Sequence, residues 1–117
     1  MKTKFLLFMA AILLCVAKGT AQVSTWDGTS EVWNKGSGTE EDPYLIESAK
    51  HLAYLSDQVK KVTNAVAYSN IYFKLTVDID LNNRTWLPIG GDLSYNNRTN
   101  MYPCFGGIFD GDNHKIG

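Results

Sequence analysis

The chain has 117 residues, 44% of them apolar and 20% charged, and a formal net charge of -1. These proportions belong to an ordinary globular chain, and the length admits one domain. They exclude a collagen-like, a disulfide-dense or a strongly basic nucleic-acid-binding protein.

Lys2 and Lys4 precede an unbroken apolar run from Phe5 to Ala17, and Gly19-Thr20-Ala21 then supplies small residues at both ends of a cleavage site before Gln22. A charged start, a short apolar run and a small-residue site make a secretory signal peptide. The run has thirteen residues and as a helix reaches about 20 Å, too short to cross a hydrocarbon core of about 30 Å. Leu14 stands where a lipobox needs a small residue before Cys15, which argues against a lipid anchor. Cleavage near Ala21 removes three of the eleven basic residues and none of the twelve acids, leaving 96 residues, eight basic against twelve acidic. A mature charge of -4 argues against binding to a phosphate backbone or an anionic membrane. The mature chain, 22–117, contains no transmembrane segment, and Cys104 is its only cysteine, so no intramolecular disulfide forms.

In chain order, residues 22–42 show no helical period and are read as a short strand or two around Trp26 and Trp33, then a loop through Gly36-Ser37-Gly38-Thr39. Tyr44-Leu45-Ile46 after Pro43 is a brief extended segment. From Ser48, a fitting N-cap, Ala49, Leu52, Leu55, Val59 and Val62 fall on one stripe of a helix over 48–62, with Lys60 and Lys61 at its carbonyl end. His51 lies off the stripe centre and is read as a surface residue.

Ile71, Phe73, Leu75, Val77, Ile79 and Leu81 alternate with polar residues or Tyr72, the signature of a strand with one buried face. A straight strand of that length would run about 40 Å, so a bend or corner is expected within it. Asn82-Asn83-Arg84-Thr85 is a turn, Trp86-Leu87-Pro88-Ile89 a short extended piece, and Asp92 to Asn100 an exposed loop. Phe105 to Phe109 and His114 to Ile116 are extended, separated by the turn Asp110-Gly111-Asp112-Asn113. The last strand barely begins at Gly117 and has no polar cap over its edge, so the sequence is expected to continue.

The order of these pieces resembles the GLUG-motif-containing secreted β-solenoid proteins of Bacteroidetes. The residues that carry the resemblance are Gly38-Thr39, Asp42 to Ile46, Ser48-Ala49, Leu52 to Leu55, Tyr72 to Thr76, Asp78 to Leu81, Trp86 to Gly90, and Phe105 to Gly117. It spans about residues 25–117, without the glycine-rich repeat that names the family. The resemblance implies a mainly β fold with one amphipathic helix: the N-terminal cap and first coils of a right-handed parallel β-helix, with the helix closing the end of the solenoid. The alternative is a small α+β domain with antiparallel hairpins, because Asp110-Gly111 between apolar segments is by itself a two-residue hairpin signal. The solenoid reading is favoured.

Candidate chemistry is sparse. Asp78, Asp80 and Asn82 open a calcium-loop pattern, but Asn83 replaces the turn glycine and Ile89 stands where a bidentate Glu is needed. Alternation reads Asp78 and Asp80 as the solvent face of the strand. Asp110, Asp112 and Asn113 are weak calcium candidates at a solenoid corner. Cys104 and His114 form no recognisable catalytic or zinc pattern, and Cys104 is read as a small buried residue. Asn83-Arg84-Thr85 and Asn97-Arg98-Thr99 match the glycosylation sequon, which carries no meaning in a bacterial protein. Trp26, Trp33, Trp86, Tyr95 and Tyr102 form a possible sugar-stacking set, of which Trp86, Tyr95 and Tyr102 are kept as ligand candidates, while the tryptophans also suit core or cap positions.

No cofactor is called for. The expected function is a structural or adhesive binding role at or outside the cell surface, toward an extracellular glycan or protein, with no catalytic constellation in this chain. The alternative is a non-catalytic part of an exported polysaccharide-degrading enzyme or peptidase.

Overall fold

A computed structural model of the chain describes residues 22–62, 65–90 and 104–117. The leader (1–21), its cleavage site at Ala21, the 92–100 loop with Tyr95 and the second sequon, and Tyr102 lie outside the described residues. Strands β1 (Val23–Thr25) and β2 (Tyr44–Ile46) come first, then helix α1 (Ala49–Lys61). Strands β3 (Val66–Ala67), β4 (Tyr72–Leu75), β5 (Asp78–Asp80), β6 (Cys104–Phe105) and β7 (Ile108–Asp110) follow.

Among the described residues every strand pairing is parallel. The sheets are small: β1 with β5, β2 with β4 and β7, and β3 with β6. Ile79 adds a parallel bridge to Ile116. Three pairings share a nearly constant separation along the chain: Val66 faces Cys104, 38 residues on; Tyr72 faces Ile108, 36 on; Ile79 faces Ile116, 37 on. The earlier strands differ, Tyr44 facing Phe73, 29 on, and Val23 facing Asp78, 55 on. The segment 66–80 and the segment 104–116 thus lie one above the other in the same order. Parallel neighbours cannot be joined by a tight hairpin. Accordingly Asp110-Gly111 joins no antiparallel pair: the strand before it pairs with β4, and Ile116 after it pairs with Ile79.

Helix α1 begins where its sequence signals place it. The Ser48 hydroxyl accepts the His51 amide, and the Val62 amide closes the other end on the Val59 carbonyl. The Ala49 amide, another donor left over at the helix start, goes to the Ser24 hydroxyl of β1. The stripe of Leu52, Leu55 and Val59 packs with Phe73, Leu75, Val77 and Ile79 from the odd-numbered face of β4 and β5, and with Ile46 of β2, in one buried core. Phe73, Ile46, Leu55, Leu75 and Val59 are the largest fully buried side chains, each worth about 1.5–3 kcal/mol of apolar burial.

The alternating run 71–81 is broken, as its length suggested, at Thr76-Val77. There the chain leaves the ladder shared with β2 and β7 and enters the ladder shared with β1 and Ile116, and the Thr76 amide turns onto the Ile46 carbonyl. Gly36 opens the tight loop before β2. Its φ is +95°, and a Cβ there would sit 2.0 Å from the Pro43 carbonyl oxygen, so no other residue fits. In the same loop the Asp42 carbonyl accepts the amides of Ser37, Gly38 and Thr39.

Five expectations are corrected. Trp86 to Ile89 form no strand: Pro88 has no amide to donate, and the Leu87 carbonyl is taken by the Ser56 hydroxyl. Phe105 to Phe109 is two strands separated by Gly106-Gly107. His51 is buried, with Nδ1 accepting the Glu47 amide at 3.1 Å, because the chain entering the helix folds back over its first turn. Cys104 is exposed, since alternation in β6 gives the more buried position to Phe105. Asp78 is not simply a solvent-face residue: its Oδ1 accepts the Lys115 amide at 3.1 Å and lies 3.0 Å from His114 Nδ1, because the returning segment 114–117 passes alongside β5.

Candidate functional site

Two corners are built alike. Asp80 Oδ1 accepts the Asn82 amide, with Asn82 and Asn83 at φ +57° and +52°, and Asp110 Oδ1 accepts the Asp112 amide, with Asp112 and Asn113 at +45° and +60°. Asn and Asp tolerate this left-handed conformation best after glycine. One carboxylate oxygen each of Asp78, Asp80 and Asp110 is therefore engaged by a backbone amide. Asp112 is also 3.8 Å from Lys74 Nζ, and among the described residues no group of three or more His, Cys, Asp or Glu side chains is placed to hold a metal ion. The fields of Lys115 and His114 and their hydrogen bonds hold the Asp78 carboxyl below its ordinary pKa, the Lys115 amide contributing most. With Nδ1 on Asp78, His114 serves as a tie between segments.

The aromatic set divides. Trp33 packs with Tyr44, Tyr54, Tyr68 and Phe73, at ring centroid distances from 5.2 to 6.1 Å, and belongs to the edge of the core. Burial pushes the Tyr68 phenol up, with the Tyr54 and Tyr44 phenols adding to it. Trp26 and Trp86 form a separate pair, edge to face with centroids 5.1 Å apart and an interplanar angle of 77°.

This second pair opens on a cleft of about 200 Å³ between the loop after β1, the middle of α1 and the segment after the Asn82-Asn83 turn. Trp26, Thr29 and Ser30 line one side, Ser56 and Asp57 the helix side, and Thr85 and Trp86 the third. Its walls are held by local bonds. Trp26 continues the β1–β5 ladder, its amide on the Asp80 carbonyl, and its indole N–H donates to the Thr29 carbonyl at 2.8 Å. Asp27 Oδ1 accepts both the amide and the hydroxyl of Thr29, and Lys50 lies 3.5 Å from Oδ2. The two bonds from Thr29, more than the Lys50 charge, bring the Asp27 pKa down to about 2. The Glu31 amide on the Lys50 carbonyl straps the loop to the helix, and Ser56 on Leu87 fixes the third wall. Gly28, at φ +92°, leaves room for the Arg84 guanidinium, whose Nη1 would lie 3.1 Å from a Cβ there.

Of the ligand candidates read from sequence, Trp86 lies in this cleft, while Tyr95 and Tyr102 are outside the described residues. Sequence reasoning missed Ser30, Asp57 and Thr85. Asp57 sits on the polar side of the helix stripe like any solvated carboxylate, and only the packing of residues 26–30 against α1 gives it neighbours. A second concavity, of about 420 Å³ and almost wholly apolar, lies between Leu52, Trp86, Ile89, Phe105, Phe109 and Ile116. Among the described residues no helix is long and apolar enough to cross a membrane. No protein-family model, no curated protein and no solved structure matches this chain.

Proposed function

We propose that the chain is the N-terminal cap and opening coils of a secreted or cell-surface β-solenoid, right-handed and of the GLUG-motif kind, with a structural and adhesive binding role toward an extracellular glycan or protein. The supporting observation is the recurrence of parallel partners at 36 to 38 residues in two ladders and one bridge, a spacing that suits one coil stacked on the next. Helix α1 lies over the core of the first coil, where a cap is required to keep a stack soluble and closed. Repeat stacks present long faces suited to binding.

Two experiments test this reading. Mass spectrometry of the exported protein should find its N-terminus at Gln22; an intact Met1 in a cytoplasmic pool overturns export. Cells displaying the full-length protein should attach to immobilised extracellular glycans or matrix proteins, and deletion of the gene should remove that attachment. Turnover of a polysaccharide or peptide by the purified full-length protein, lost on point substitution within residues 22–117, would replace the adhesive role with an enzymatic one.

A further inference from the structure

We propose that the cleft between Trp26–Ser30, α1 and Thr85–Leu87 binds one ring of a neutral pyranose sugar; this rests on the adhesive reading above and names its ligand class. At about 200 Å³ the cleft is smaller than the roughly 300–1,000 Å³ of sites for drug-sized ligands, so it takes a single ring.

The lining matches the two-sided chemistry of such a ring. A pyranose carries an apolar C–H face and a rim of hydroxyls that both donate and accept. Trp26 and Trp86 supply the aromatic surface, and their edge-to-face contact fixes both indoles before any ligand arrives. The indole N–H of Trp26 is already occupied by Thr29, so its role in the cleft is that of an apolar wall. Against this wall stand the hydroxyls of Ser30 and Thr85 and the carboxylate of Asp57, none of which has a side-chain hydrogen bond or ion pair among the described residues. A carboxylate accepts from two adjacent hydroxyls, and serine and threonine hydroxyls donate as well as accept.

Charge narrows the class. Asp57 is the one ionisable group in the lining, which disfavours a phosphate, sulfate or uronic acid. The Arg84 guanidinium over Gly28 at the rim disfavours an ammonium group by like-charge repulsion. A neutral polyol satisfies both constraints. The polar walls also do not depend on the ligand for their shape, because the bonds of Asp27 to Thr29, Lys50 to Asp27 and Ser56 to Leu87 hold them within the protein.

Saturation-transfer NMR on the full-length exported protein, with methyl glycosides of glucose, galactose and mannose as probes, tests the proposal. At least one should bind in the millimolar range, with transfer strongest to protons on one ring face. Asp57→Asn, at an exposed position, should melt like the parent and weaken binding about tenfold or more; Trp86→Phe should weaken it while keeping an aromatic ring in the wall. Absence of binding by every neutral probe, unchanged affinity in Asp57→Asn, or preference for an amino sugar or uronic acid over its neutral parent overturns the proposal. Attachment of the full-length protein to glycans that persists in both variants overturns this cleft and leaves the adhesive reading intact. Methyl-glycoside binding lost in Asp57→Asn, in a protein that attaches to nothing, supports the cleft and removes the adhesive reading.

Discussion

Strands β4 and β7 are neighbours in one parallel ladder, in register at Tyr72 with Ile108 and Phe73 with Phe109, yet their side chains have different fates. Phe73 is 1% exposed beneath α1 and the Trp33 cluster, whereas its register partner Phe109 is half-buried at the wall of the apolar concavity. Among the described residues β4 is paired on both sides, by β2 and β7, whereas β7 is paired on one side only, and the cover over the two strands differs as well. Among the described residues α1 packs on the core that holds Phe73, and no second helix lies beside β7. The lesson is that a parallel ladder sets register cheaply, through repeating amides and carbonyls, while its stability depends on what closes the apolar space beside it.

The sharpest way to break this contrast is through the cover itself. Leu55→Asp places a carboxylate among Ile46, Phe73 and Leu75 with no partner, at about 4 kcal/mol or more, enough to abolish a cooperative melt in a small domain. A melt like the parent's would refute the helix-on-sheet packing. Next, Phe73→Ala should cost about 3–5 kcal/mol and Phe109→Ala only about 1.5 kcal/mol. Equal losses in urea unfolding would mean that β7 is as well covered as β4.

Gly36→Ala probes the loop that delivers β2 to the same ladder. With φ at +95° and the Pro43 oxygen 2.0 Å from the added carbon, it should lose about 2 kcal/mol or more, whereas Gly111→Ala, with open space around it, should change the denaturation midpoint little. The smallest effect concerns the tie between β5 and the segment 114–117. Because Asp78 has a lowered pKa when folded, its contribution is fully present above the ordinary carboxylate value and is lost as pH falls through the lowered one. Asp78→Ala should therefore lower the melting temperature at neutral pH, and flatten its decline in acid, more than Asp80→Ala does. Identical pH profiles for the two variants would show that the contacts to Lys115 and His114 carry no stability.

The helix was legible in sequence nearly to the residue, since its stripe, its Ser48 cap and its terminal lysines all report on local geometry. The buried face of 71–81 was equally plain, because a period of two leaves no choice of side. What alternation does not encode is where a strand changes partners, so the break at Thr76-Val77 was expected only from length, and the division at Gly106-Gly107 was not expected at all. Local signals also assigned His51 and Cys104 to the wrong environments. Burial at those positions is decided by segments distant in sequence or by a two-residue strand too short to show a period.

The candidate site shows the same limit more strongly. Trp86 could be picked out as an aromatic in a polar stretch, but nothing in the order of residues joins it to Trp26, sixty positions earlier, or to Asp57 on the helix. Sequence by itself determined the elements, their apolar faces and the turn residues that adopt left-handed backbone, because each depends on neighbours within a few positions. Tertiary structure decided that every strand pair among the described residues is parallel, that Asp78 ties the segment 114–117 to β5 and that three separate segments enclose a cleft. Those outcomes depend on which distant backbone groups and side chains meet when the apolar faces are buried together, and that choice minimises exposed area and unpaired amides over the whole chain at once.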